Sequence, residues 1–140
     1  MIIVIFHYMI TKLTFKPEYI SSRSNPLVMR YSKLADKKYR TEFGLFLSEG
    51  EKLASEAADY ASVEAILLSE AALGSASEAL IAIIEKTVSK GARPILLTNE
   101  AFAKISTEHS PQGIISVVRA SSIKANLLTL DMLPISERAL

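Results

Sequence analysis

The sequence predicts an α/β fold: a three-layer α/β/α sandwich around a small, mostly parallel or mixed sheet. Short apolar runs alternate with segments of helical period, in the order helix, then strand and helix three times, then strand; this order builds a sheet with helices on both sides. The last run, Ile114 to Arg119, is almost continuously apolar, as a strand covered on both faces must be. Glycine, proline and small polar residues punctuate the joints.

The elements follow in order. Asn25-Pro26 starts a helix, because Asn caps the first free N–H groups and Pro lacks only an N–H that has no partner there. Leu27, Val28, Tyr31, Leu34 and Ala35 then recur at helical spacing, and the helix should fade near Thr41 and stop before Gly44. Phe43 to Leu47 is a strand, Ser48-Glu49-Gly50 a turn, and Glu51 to Tyr60 a helix with Leu53, Ala54, Ala57 and Ala58 on one face. Val63 to Leu68 is a strand, and Ser69 to Ser75 a loop or a first helical turn. Ser77 to Lys90 is a helix with Leu80, Ile81, Ile84 and Val88 inside, closed by Gly91 as a left-handed stop. Pro94 to Leu97 is a strand, Asn99 to Ile105 a short helix, and Pro111-Gln112-Gly113 the turn into the last strand.

At 140 residues and 49% hydrophobic content, one compact domain is expected; about 150 residues bury roughly 68–70% of their unfolded surface. The absence of cysteine excludes disulfides and thiolate metal sites and points to a reducing, cytoplasmic setting. His7 and His109 are too isolated for a metal cluster, so no metal is expected. Met1 to Ile10 is apolar but falls short of the ~20 residues of a membrane span, and it lacks the charged start and cleavage site of a secretory signal. It is read as an extra strand, a disordered apolar tail, or translation from an upstream start.

Charge is unevenly spread. Ile20 to Leu47 holds six basic residues (Arg23, Arg30, Lys33, Lys37, Lys38, Arg40) against the two acids Asp36 and Glu42, net +4, whereas Ser48 to Leu80 holds seven acids against one lysine, net −6. Such asymmetry suits an anionic partner at one place. On one continuous helix, Arg30, Lys33, Lys37 and Arg40 fall within about 80° of circumference. That stripe complements spaced phosphates, whose neutralisation releases counterions; the alternative is a merely solvated face. Tyr31 and Tyr39 are read as core residues, with base stacking as the alternative.

Several stretches together resemble the amino-terminal domain of SpoU/TrmH-family RNA 2′-O-ribose methyltransferases. They are Ile20-Ser21-Ser22-Arg23-Ser24-Asn25-Pro26-Leu27-Val28, Lys33-Leu34, Lys38-Tyr39-Arg40 and Gly44-Leu45-Phe46-Leu47-Ser48-Glu49-Gly50, then Ile105-Ser106-Thr107 and Ser110-Pro111-Gln112-Gly113-Ile114. The resemblance covers Ile20 to Arg119. It implies a sandwich like that of kink-turn-binding ribosomal proteins, which holds structured RNA (rRNA or tRNA). A following knotted domain of the family binds S-adenosylmethionine, methylates the ribose and could form a homodimer. Residues 1–19 are then an N-terminal extension and 120–140 a linker toward that domain. The cofactor motifs are missing and the five glycines lie apart, so no cofactor and no methyl transfer are expected of this chain alone.

The resemblance and the charge pattern nominate Arg23, Asn25, Arg30, Lys33, Lys37, Lys38, Arg40, Glu49 and Gln112 as RNA-binding, and no residue as catalytic. Glu49 is expected to cap the next helix or pair with Arg40, or to orient Arg40 toward RNA. Glu108-His109-Ser110 has the residue types of a nucleophile with its base, but neighbours on a loop rarely face one another, and a polar turn is the better reading. Two other functions stay open: a free-standing kink-turn-type RNA binder, and a dimerisation or protein-interaction module using the apolar ends, Met1 to Ile10 and Ile123 to Leu133.

Overall fold

The structure, a computed structural model, describes residues 13–109 and 111–123. Its elements are β1 (Glu18–Ile20), α1 (Pro26–Ser32), α2 (Lys37–Phe43), β2 (Leu45–Glu49), α3 (Glu51–Tyr60), β3 (Val63–Ser69), α4 (Glu70–Gly74), α5 (Glu78–Ser89), β4 (Arg93–Leu97), α6 (Asn99–Ile105) and β5 (Ile114–Arg119), with 3-10 turns at Lys33–Ala35 and Ala120–Ser122. The Met1–Ile10 run, His7, Ser110 and the segment from Lys124 onward lie outside the described residues.

The strands form one sheet in the order β1-β4-β3-β5-β2. β1, β4 and β3 are parallel, and β5 runs antiparallel to both β3 and β2. Strand alternation divides the apolar residues between two layers. Ala65, Leu67, Ile95, Leu97, Ile115 and Val117 pack on Val28 and Tyr31 of α1 and on Ala101, Phe102 and Ile105 of α6. On the other face Ile66, Leu68, Leu96 and Ile114 meet Ala54 of α3, Leu73 of α4, and Leu80 and Ile84 of α5. Each fully buried Leu or Ile contributes roughly 1.5–3 kcal/mol, so the three-layer sandwich rests on this division.

Two features depart from the sequence expectations. β1 is an additional strand, pairing Glu18–Ile20 with Ile95–Leu97; three residues are too few to show an alternation. Leu13 is buried and Phe15 packs beside it against α5 residues, so this part of the expected extension covers the core. The second departure is in the first helix, which breaks at Asp36 into α1, a 3-10 turn and α2.

Register gives the sheet two distinct edges. Ile20, Glu49, Ser69 and Leu97 end their strands at the carboxyl edge, where β5 begins at Ile114. β5 ends at the opposite, amino edge, where Ala120 N–H donates to the Gly44 carbonyl at 2.9 Å. No helix among the described residues is long and apolar enough to cross a membrane.

Candidate nucleic-acid interface

The break at Asp36 reorganises the basic stripe. Asp36 adopts an extended backbone (φ −98°, ψ 128°) and its carboxylate accepts from Lys38 N–H, at 2.9 Å, as the N-cap of α2. An aspartate competes for backbone donors in a helix interior but stabilises a helix start. Arg40 then reaches back across the joint, and its Nη1 donates to the carbonyls of Leu34 (3.0 Å) and Ala35 (2.9 Å). The expectation of one continuous four-cation stripe is therefore corrected: Arg40 is half-buried and ties α2 to the preceding turn.

Three other cations lie over aromatic rings. Arg30 Cζ lies 4.1 Å from the centroid of Phe43, and the Lys33 and Lys38 ammonium groups lie 5.3 and 5.4 Å from that of Tyr39. All three are inside the ~6 Å range of cation–π attraction. Tyr39 and Phe43, one turn apart on α2, are themselves 5.7 Å apart and tilted by 45°. Lys37 is exposed at the start of α2. A ring fixes a cation without neutralising it, whereas a carboxylate would cancel the charge. Among the described residues none of Arg30, Lys33, Lys37 and Lys38 has a carboxylate partner.

Tyr31 belongs to the core, as read. It is buried, and its hydroxyl donates to Glu64 at 2.7 Å. Glu64 is the extra residue of β3 where the register with β5 shifts, which lets a polar side chain point toward α1. Burial, and then the Glu64 hydrogen bond and charge, push the Tyr31 pKa well above the usual tyrosine value. Tyr39 is half-buried and sits among the lysines.

The remaining nominated residues gather at or near the carboxyl edge. Asn25 Oδ1 caps α1 by accepting from Leu27 N–H at 2.8 Å. Arg23 is exposed in the loop before it, and its carbonyl accepts from Lys104 Nζ at 3.0 Å. Glu49 neither caps the next helix nor depends on Arg40 for its partners. Its carboxylate accepts from Ser106 Oγ (2.6 Å), Thr107 N–H (2.8 Å) and Thr107 Oγ1 (2.6 Å), tying the end of β2 to the loop after α6. The cap of α3 comes instead from Gln112, whose Oε1 accepts from Glu51 N–H at 3.0 Å.

Gln112 lies over Gly50, where an added Cβ would meet its Oε1 at 3.1 Å. Gly113 has φ +87°, and a Cβ there would stand 2.4 Å from Ala72 Cβ and 2.5 Å from Ser69 Oγ. The Glu-Gly and Pro-Gln-Gly stretches, distant in sequence, thus meet as one packed corner. The cleft beside it is lined by Glu49, Gly50, Glu108 and Gln112, and its two carboxylates disfavour a phosphate. Gly50 and Gly113 face side chains, so this corner offers no open glycine cradle to S-adenosylmethionine. Among the described residues no group of three His, Asp or Glu could hold a metal.

The sequence reading missed Phe43 as the seat of Arg30 and Ser106-Thr107 as the partners of Glu49. A signal for the first existed, since Tyr39 and Phe43 are spaced four apart among lysines. For the second, only the paired strands bring the two segments together.

A family model described as the MRM3-like substrate binding domain matches residues 25–116. The chain belongs to this family. The match runs from the cap of α1 into β5 and takes in both the cation–aromatic cluster and the glycine corner of this MRM3-like substrate-binding domain.

Solved structures share the fold. An rRNA methyltransferase from Sinorhizobium meliloti superposes with a TM-score of 0.61 at 22% identity, covering 73% of this chain and 36% of that one. An RNA 2′-O ribose methyltransferase gives 0.57 at 24%, covering 73% and 37%. The SpoU methyltransferase AviRb from Streptomyces viridochromogenes gives 0.53 at 18%, covering 68% and 33%. The chain therefore spans about a third of the length of these solved relatives. The Sinorhizobium meliloti enzyme is also known with AdoMet bound. No curated protein matches the chain significantly by sequence.

Proposed function

We propose that this domain holds a structured RNA, ribosomal or transfer, for 2′-O-ribose methylation by an S-adenosylmethionine-dependent catalytic domain. The observation that carries the reading is the set of cations Arg30, Lys33 and Lys38, which lie over aromatic rings, together with the exposed Lys37, none with a carboxylate partner among the described residues, in a chain of the MRM3-like substrate-binding family. Phosphates are their complement, since binding releases counterions from the RNA. Arg23 is a further contact from the loop before α1. Asn25, Arg40, Glu49 and Gln112 serve the architecture that presents these groups. Residues 20–119 form the RNA-binding unit, and 120–140 lead toward the catalytic partner. The same reading carries a cytoplasmic setting and a homodimer contact on the catalytic domain.

The test is fluorescence anisotropy with a labelled rRNA hairpin over a salt series. Four neutralised phosphates should give a slope of about −3 to −4 in log K against log salt. Changing Arg30, Lys33, Lys37 and Lys38 together to glutamine should flatten that slope and abolish binding near physiological salt. Unchanged affinity in the fourfold variant would remove this surface from the RNA contact.

A further inference from the structure

We propose that the Arg30–Phe43 stack is a platform for one unpaired RNA base, so that the domain takes looped or single-stranded RNA in preference to continuous duplex. The inference rests on the RNA-binding reading above and goes beyond it by naming the kind of RNA.

The guanidinium carbon of Arg30 lies 4.1 Å from the Phe43 centroid, so one side of the cation is committed to the ring. A guanidinium is planar and stacks on aromatic faces. Arg30 is exposed, which leaves its outer face to solvent. Among the described residues it has neither a carboxylate nor a hydrogen-bond partner for its side chain, so its edge N–H groups stay open as well. An open planar face with free donors at its rim matches a nucleobase in both shape and chemistry.

The neighbouring groups extend the match. Phe43 leads into Tyr39 at 5.7 Å, and Lys33 and Lys38 lie over Tyr39, so fixed ammonium groups stand beside the platform, where the flanking phosphates of a bound nucleotide would pass. A base inside a duplex has both faces covered by its neighbours and cannot stack here; an unpaired base can. The platform also has a defined place in the fold. Phe43 precedes Gly44, whose carbonyl holds Ala120 N–H at 2.9 Å, so the bound nucleotide would sit at the amino edge of the sheet, beside the end of β5.

The test uses the full chain and two RNA probes: a hairpin carrying 2-aminopurine in its loop, and a blunt duplex of the same stem sequence. The hairpin should bind more tightly than the duplex, with a change in the 2-aminopurine emission as the base leaves its neighbours in the loop. Arg30→Lys keeps the charge but removes the planar face. It should weaken hairpin binding by about 5- to 100-fold, a larger loss than it causes in duplex binding, and eliminate the change in 2-aminopurine emission. Because Arg30 is exposed, this variant should retain its circular dichroism and melting temperature. Equal affinity for hairpin and duplex, or an Arg30→Lys variant that binds the hairpin and changes the 2-aminopurine emission like the parent, would overturn the platform while leaving RNA binding intact. A parent chain that binds neither probe would overturn the RNA reading itself.

Discussion

Replacing Arg40 with methionine keeps the apolar stem and removes the donors that bridge α2 to the carbonyls of Leu34 and Ala35. A hydrogen bond from a charged donor contributes about 1.5–3 kcal/mol when well sheltered. Arg40 is only half-buried and the freed carbonyls regain water, so the two bonds together should be worth about 1–2 kcal/mol. For a chain of 140 residues, roughly 3–5 °C of melting temperature is lost per kcal/mol, which predicts a fall of about 3–10 °C in a thermal melt followed by circular dichroism. The salt slope of RNA binding, measured well below the melting temperature, should stay that of the parent. A phosphate-contacting cation would behave in the opposite way: its loss would lower the slope by about 0.7–0.9 with little effect on stability. That second pattern would refute the assignment of Arg40 as a joint and restore the continuous stripe.

Gly113→Ala forces a side chain into a left-handed backbone position and onto Ala72 and Ser69; strain and overpacking together should cost about 2–5 kcal/mol, read as lost denaturant stability, and a variant as stable as the parent would refute the packed corner. Tyr31→Phe should flatten the alkaline limb of stability. The folded-state pKa of Tyr31 is raised, so its contribution is complete below the unfolded value near 10 and is lost above it, by up to about 1.4 kcal/mol per pH unit. Parent and variant with parallel stability profiles above that pH would count against the Tyr31–Glu64 contact. Ser48 and Ser116 face each other across β2 and β5, and among the described residues their buried hydroxyls have no hydrogen-bond partner. The double change to alanine should be neutral or stabilise by about 1 kcal/mol, and a clear loss in denaturant melts would show that the hydroxyls are bonded after all.

Much of the fold was legible in the sequence because its signals are local. The strands at Val63, Arg93 and Ile114 and the helices at Glu51, Glu78 and Asn99 each carry their own periodicity and caps, and Gly91 closes α5 at φ +108° as expected. The candidate site was legible in composition but not in geometry. The sequence identified where the cations are concentrated. It did not show that Asp36 would leave the helix, because an aspartate between two apolar-periodic segments is compatible with either a solvated helix position or a new cap, and the choice depends on Arg40 closing the joint.

The sequence by itself determined the class of fold, the cysteine-free chemistry, the basic segment before β2 and the stretches that mark the family, since each is written in neighbouring residues. Only the tertiary structure decided which cations remain available. Pairing β2 with β5 carries Gln112 to Gly50, and the loop after α6 brings Ser106 and Thr107 to Glu49. The bend at Asp36 leaves Arg30 over Phe43 and Lys33 over Tyr39. Charge is a property of a residue, but whether it is spent inside the protein or offered to a partner depends on contacts that close only when distant segments pack.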